Sequence, residues 1–347
     1  MVGPTSSRSF RRPTCEPMIP DDLARAWTPA DPGQPVPPGP RTNPWAAVGA
    51  VPVVAPPRVA ALLDGLWNDG GPHMLPDGAR SHVARRPVPS AGGAYPVQTH
   101  LVVGDVGFDG LDPGRYVLDD NSATLLRRGP VGAGSDRTHL VFTVLPGRSY
   151  SRYRHRSWPL WIADTAYAVA AVEFLCATHT PVMLGPDRRI RSLLGFAPAT
   201  DTNRWTDAGL VPEIALAATT LSHRTAVSEV RRTALRSRRS PAVADFASRI
   251  GRQRPTDGTV TIAQASQQRW VLGADHVRSW TVSPTDDAQT LLAALWSVHR
   301  AAAHLVYRHA LDGRRTCRPV SGTTLVGGRW PVHAVASLDR RATEERR

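Results

Sequence analysis

From Leu160 to Ala177 the chain is apolar nearly all round, interrupted only by Asp164 and Glu173. A helix written this way has no face to give to water, so other elements must cover it on every side. The two carboxylates argue against a membrane span. Its neighbours supply the cover. Val97, Thr99, Leu101 and Val103 alternate with Gln98, His100 and Val102, the pattern of a strand. Arg115–Leu118 and Ala123–Leu126 flank Asp119-Asp120-Asn121-Ser122, a hairpin by its turn residues. Thr138–Leu145 reads as a strand ended by Pro146-Gly147, and Ile214–Thr219 as another. Arg58–Trp67 has helical spacing, with Val59, Leu62, Leu63 and Leu66 on one stripe, and Arg188–Leu194 is a short helix stopped by Gly195. Helices mixed with hairpins predict an α+β fold.

Composition narrows the function classes. The chain has 347 residues, 41% of them hydrophobic, enough for one large or two medium soluble domains. Net charge is +13, yet all 42 basic residues are arginine and none is lysine. The arginines are dispersed, without an aromatic-interleaved stripe, so nucleic acid is not the expected partner. An acidic or anionic peptide suits the charge better. Cys15, Cys176 and Cys317 are far apart, which predicts neither a disulfide framework nor a thiolate metal site. Arg8, Arg11 and Arg12 are not followed by an apolar stretch, so no secretory signal is expected and the cytoplasm is the default location. Residues 28–58 are Pro-rich and read as an extended linker or surface wrap.

The chemistry is concentrated in Arg85-Arg86-Pro87-Val88-Pro89-Ser90-Ala91-Gly92-Gly93-Ala94-Tyr95-Pro96, just before the strand at Val97. Ser90 to Ala94 have almost no side chains, so the backbone itself can approach a flat ligand. Arg85 and Arg86 can carry a phosphate, because the guanidinium fork matches its oxygens. A cradle for a planar, phosphorylated cofactor is one reading; an ordinary Pro/Gly turn is the other. Other frames are missing. Ser90 has no Gly-x-Ser-x-Gly setting, there is no Gly-x-x-x-x-Gly-Lys, and His299, His304 and His309 recur every five residues, which spreads them around a helix. No metal site is expected.

The chain also repeats itself at an offset of about 230 residues. Arg8-Ser9 matches Arg239-Ser240, Leu62-Leu63…Leu66-Trp67 matches Leu291-Leu292…Leu295-Trp296, Arg86-Pro87-Val88 matches Arg318-Pro319-Val320, and Tyr95-Pro96-Val97 matches Trp330-Pro331-Val332. The second copy stops near residue 338, and its loop, Ser321–Gly328, has lost the Pro-Ser-Ala-Gly order. This predicts an extension over 1–57, a complete unit over 58–222, a degenerate partial copy over 223–338 and a charged tail over 339–347.

The loop and the strand after it resemble a known family. RRPVPSAGGAYPVQTHLVV is similar to the PSAGALYPLE signature of SagB-type dehydrogenases, a branch of the FMN-dependent nitroreductase superfamily. Gly110–Val117 resembles that family's GLPPGLYRY hairpin, Arg152–Trp158 its KYGERGYR segment, and Leu160–Ala177 its long buried helix. Asp187–Phe196 and Pro212–Leu216 match later segments in order, and Arg8-Ser9-Phe10-Arg11 resembles the superfamily's phosphate-binding start. The resemblance implies a nitroreductase-like fold, a central mixed or antiparallel sheet flanked by helices. It implies FMN, with Arg8, Arg85, Arg86, Pro89, Ser90, Ala91, Gly92 and Gly93 as its contacts.

The implied activity is oxidation of thiazoline or oxazoline rings to thiazoles or oxazoles in a ribosomally made peptide. The implied partners are that azoline-containing precursor peptide and the cyclodehydratase of its pathway, and the implied assembly is a homodimer or an intramolecular pseudo-dimer. One departure stands out: the family's Lys-Tyr pair is Arg152-Tyr153. Arginine cannot accept a proton at neutral pH. Tyr153 can serve only if Arg152, Arg154 or Arg156 lowers its pKa. Tyr153, Arg152 and Arg156 are therefore the candidate catalytic residues. An inactive scaffold that holds the peptide or a sister enzyme, and an NAD(P)H-dependent nitro- or quinone reductase, are the alternatives.

Overall fold

The computed structural model describes positions 23, 26, 27, 38, 39, 45 and 49–340, apart from 75–78, 131–135, 178–180, 197–212, 253 and 285–286. In chain order the elements are β1 (Val51–Val53), α1 (Pro57–Trp67), β2 (Pro72–Met74), β3 (Arg80–Ala84), β4 (Val97–Val103), β5 (Gly114–Asp119), β6 (Thr124–Gly129) and β7 (Thr138–Val144). A helical turn, Tyr150–Tyr153, leads into α2 (Ser157–Cys176), followed by β8 (Val182–Leu184), α3 (Arg188–Leu194) and β9 (Ile214–Leu221). The remaining elements are α4 (Glu229–Ser237), α5 (Val243–Ala247), α6 (Asp257–Ser266), β10 (His276–Val282), α7 (Ala288–Asp312), β11 (Arg315–Val320) and β12 (Trp330–Asp339).

Seven strands form one antiparallel sheet in the order β1-β6-β5-β4-β7-β9-β8. Strand β4 lies at its centre, buried along its whole length, and Leu101 sits opposite Tyr116 on one side and Leu140 on the other. The Pro-rich stretch ends inside this sheet: Val51–Val53 pairs with Leu125–Arg127 as an edge strand. A second sheet, β10-β12-β11, and a hairpin, β2-β3, complete the strands.

The expected buried helix is α2. It lies between the large sheet and α7, with α1 along its flank. Nearly every side chain it carries is enclosed, including Trp161, Ile162, Tyr167, Val172 and Leu175. Tyr150–Cys176 is long and apolar enough to cross a membrane by length and composition, and 94% of its most apolar window is buried within the protein.

Helix ends follow their chemistry. Asp187 caps α3 by accepting from the Arg189 N–H, and Gly195 closes it in the left-handed region at φ 66°. Asp287 caps α7 in the same way, and Gly313 closes it.

Residues from both units predicted by the repeat share one hydrophobic core, in which Leu66, Trp161 and Tyr167 pack with Leu295, Trp296, Tyr307 and Trp330. The middle strand of the second sheet, β12, is covered on both faces. Ala334, Ala336 and Leu338 of β12 join Phe246, Ile262 and Trp270 in a smaller core, while His333 turns toward α2 and α7. The repeated segments agree in kind at the helices α1 and α7 and at the strands β4 and β12. They differ between them, since Arg86-Pro87-Val88 lies in a loop and Arg318-Pro319-Val320 lies in β11.

Candidate functional site

The glycine-rich loop crosses the N-terminal half of α2 and is fastened there by Asp164. Ser90 Oγ donates to Asp164 Oδ2 at 2.6 Å, and the Ala91 N–H donates to Oδ1 at 3.0 Å. The Tyr95 N–H closes the turn on Ser90 Oγ at 2.9 Å. Between these bonds Ala91–Gly93 make one 3₁₀ turn, with Gly92 at φ 57° and Gly93 at φ 65°, where a Cβ is strained. Burial raises the Asp164 carboxyl to about 7, against the lowering effect of the Ser90 and Ala91 hydrogen bonds.

A second carboxylate holds the loop from the hairpin side. Asp120 accepts two bonds of 2.9 Å from the Arg148 guanidinium and one of 3.1 Å from Arg86. Burial favours its neutral form, but the Arg148 and Arg86 charges win and hold its carboxyl below the usual range. Arg148 also donates to the Tyr95 carbonyl at 2.8 Å, and Arg86 lies over the Tyr95 ring, 4.9 Å from its centre.

These contacts sort the sequence candidates. Ser90, Ala91, Gly92 and Gly93 form the turn, with Pro89 half-buried at its entry. Arg86 is committed to Asp120. Arg85 is exposed and donates to the Gly70 carbonyl at 2.9 Å. Arg8 lies outside the described residues. Arg152 and Tyr153 stand directly over Gly92, where a Cβ would collide with the Tyr153 hydroxyl and come within 3.2 Å of Arg152 Nη1. Arg156 is directed elsewhere: it precedes the first residue of α2 and lines a water-sized cavity with His299, Thr323 and Trp330.

The condition attached to Tyr153 as a base is not met. Burial raises its phenol, and the Arg152 charge only partly offsets that. At neutral pH the group is a hydrogen-bond donor.

Two placements escaped the sequence reading, which knew the second-copy arginines only as counterparts of Arg8-Ser9. One is Asp164 as the anchor of the loop. The other is Arg238, just past α4, whose Nε donates to the Pro87 carbonyl at 3.1 Å. Arg238 brings Arg239 with it. Burial lowers the Arg239 pKa, and the charges of Arg85 and Arg238 lower it further. No carboxylate forms an ion pair with Arg85, Arg238 or Arg239 among the described residues. Three guanidiniums gathered at one end of a small-residue loop, without a counter-charge among the described residues, fit a phosphate there.

Beneath the loop, polar groups between the helices stay neutral. The Tyr167 hydroxyl meets His333 Nε2 at 3.0 Å, Tyr307 donates to the Tyr167 carbonyl at 2.8 Å, and burial pushes His333 down to about 3.

The fold defined by this sheet, its buried helix and the loop between them is the nitroreductase-like α+β fold. Among solved structures, the chain resembles a protein from Anabaena variabilis assigned as a nitroreductase, with a TM-score of 0.57 and 13% identity. The match covers 83% of this chain and 91% of the other. No family model matches the sequence, and no curated protein matches it.

Proposed function

We propose that this chain is an FMN-dependent oxidoreductase that dehydrogenates azoline rings in a ribosomally made peptide. The observation that carries the reading is the junction at Gly92. There a turn without Cβ at Gly92 and Gly93, fixed by Asp164, meets the Arg152–Tyr153 pair, and Arg238, with Arg85 and Arg239 near it, holds the start of the same loop at Pro87. Those arginines would hold the phosphate and Ser90–Gly93 the ring, and the flavin, once bound, supplies a hydride acceptor.

The chain's own residues manage the proton. An azoline Cα–H is acidic because an imine and an amide carbonyl both adjoin it. With Tyr153 protonated and lysine missing, the acceptor within reach is Ser90 Oγ. This oxygen takes the Cα proton as it passes its own to Asp164 Oδ2 along the 2.6 Å bond. Tyr153 orients the ring as a donor. Arg238 and Arg239 belong to the second repeat and meet the loop of the first within one chain, which favours an intramolecular pseudo-dimer over a homodimer. The upstream partner on this reading is the cyclodehydratase that forms the azoline.

Purified protein should show a flavin visible spectrum, and it should remove about 2 Da from an azoline peptide, the two hydrogens passed to proton acceptor and flavin. Tyr153→Phe should keep the colour and lower turnover about tenfold, the worth of one orienting hydrogen bond. Protein that stays colourless after incubation with FMN would exclude the reading. It would favour a scaffold that holds the peptide without turnover, for which the Tyr153 hydroxyl standing over Gly92 is the supporting observation.

A further inference from the structure

A second concavity lies away from the glycine loop. Between α7 and β10 runs an open groove of about 650 Å³ lined by Phe174, Arg231, Arg278, Trp280, Leu305 and Arg308, among others. The sequence places these side chains together by simple geometry. Leu305 and Arg308 are three apart on one face of α7, and Arg278 and Trp280 are two apart on one face of β10.

The groove combines three kinds of recognition group. Its floor is apolar, and Leu311 at its end is 39% exposed. Its walls carry positive charge: Arg231 lies 5.5 Å from the Phe174 ring centre and Arg278 5.7 Å from that of Trp280. None of Arg231, Arg278 and Arg308 has an ion-pair partner among the described residues. The nearby Glu173 does not neutralise them, because Arg300 and His304 already hold it at 2.5 and 3.0 Å. Finally, among the described residues β10 is the outer strand of its sheet and bonds only β12, so half of its backbone groups face outward beside the groove.

We propose that this groove binds an acidic, extended peptide segment laid along the free edge of β10. Its carboxylates pair with Arg231, Arg278 and Arg308, and its apolar side chains settle against Trp280, Leu305 and Leu311. The edge strand selects a peptide over a nucleic acid, since only a peptide backbone matches a row of strand N–H and C=O groups.

The proposal rests on the peptide-oxidation reading only in making this segment a part of the modified peptide. On α2, Phe174 lies ten residues beyond Asp164, about 15 Å along the helix axis. Some five extended residues, at roughly 3.3 Å each, bridge that distance. Because α2 itself is enclosed, this is a minimum: a peptide that docks here and presents a ring at the glycine loop needs at least about five residues between the two.

The test is fluorescence anisotropy with the full chain and a short fluorescein-labelled peptide that alternates Glu with Leu and carries no azoline. Binding that weakens with salt is expected, with no binding of a Lys-for-Glu counterpart. The double variant Arg278→Glu, Arg308→Glu should bind at least about tenfold more weakly. Arg278→Gln, Arg308→Gln should show a smaller loss in the same direction, with both variants keeping the wild-type flavin content. Both side chains are exposed, so thermal unfolding should be unchanged. Equal binding by wild type and both double variants would overturn the proposal, as would tighter, competing binding of a single-stranded DNA of equal charge. Flavin content and azoline oxidation are read separately, so a colourless chain that still binds the peptide removes the catalytic reading and leaves the groove standing.

Discussion

Replacing Asp120 by alanine should lower stability by about 3–5 kcal/mol, the cost of leaving buried charges without their partner. The Asp120, Arg148 and Arg86 side chains are only 7%, 4% and 12% exposed, so water cannot take over the carboxylate's role. Its loss strands two guanidiniums in the interior at once. The damage should be local as well as global, because Arg148 also fixes the Tyr95 carbonyl and Arg86 stacks on the Tyr95 ring. The loop would lose its hairpin-side anchor while keeping the Asp164 one.

The pH dependence has a definite sign. A carboxyl held below its ordinary value when folded contributes stability above the unfolded pKa, and that contribution disappears as pH falls through the folded value. Urea midpoints of wild type and Asp120→Ala should therefore lie far apart at pH 7 and converge in acid. The neighbouring Asp119→Ala is the control: it removes only exposed turn contacts to Asn121 and Ser122, worth about 1 kcal/mol. A loss at Asp120 no larger than that at Asp119 would refute the buried-network account. The same network holds the Arg86 guanidinium, which is paired with Asp120 at 3.1 Å.

Much of the scaffold was legible because local chemistry and tertiary need agree. The alternation from Val97 to Val103 is the observed β4, the Asp119–Ser122 turn joins β5 to β6, and Gly195 ends α3 where its φ of 66° requires a glycine. The apolar circumference of Leu160–Ala177 correctly demanded cover on all sides, although sequence could not say that α7, over a hundred residues later, supplies one of them. Val51–Val53 was hidden for the opposite reason. Its burial is slight and its prolines suggest a linker, yet an edge strand needs only one partner, which β6 provides.

The site divides the same way. Small residues announce a close backbone approach, so Ser90–Gly93 stood out. The residues that fix the turn, Asp164, Asp120 and Arg148, are ordinary in sequence and acquire meaning only through contacts between positions far apart in the chain. Tyr153 shows the limit of reading charge from adjacency. Arginines beside it in sequence suggested a lowered phenol, whereas burial, which is not local, outweighs them.

Asp164→Asn separates the two roles assigned to that carboxylate, and its stability effect should run against intuition. Burial raises the folded-state pKa of Asp164 to about 7, while the unfolded value is near 3.8. Between those limits the folded state binds the extra proton, so stability falls as pH rises from about 4 to about 7 and then levels off. Integrated over that window, the effect of one group is on the order of 4 kcal/mol. Asparagine matches the protonated acid in shape, and its carbonyl oxygen can accept from Ser90 or from the Ala91 N–H. The variant should equal wild type near pH 4 and exceed it at pH 8, as read from denaturant midpoints across that range. Parallel curves for the two proteins would mean that Asp164 ionises normally and that its burial is not what sets the loop's electrostatics. Turnover should move the other way. An amide cannot accept the proton that Ser90 Oγ hands on, so azoline oxidation should fall by a factor of about 100 or more while flavin stays bound. A more stable, coloured and nearly inactive protein is the signature of a carboxylate kept in the core for its proton rather than for its bonds.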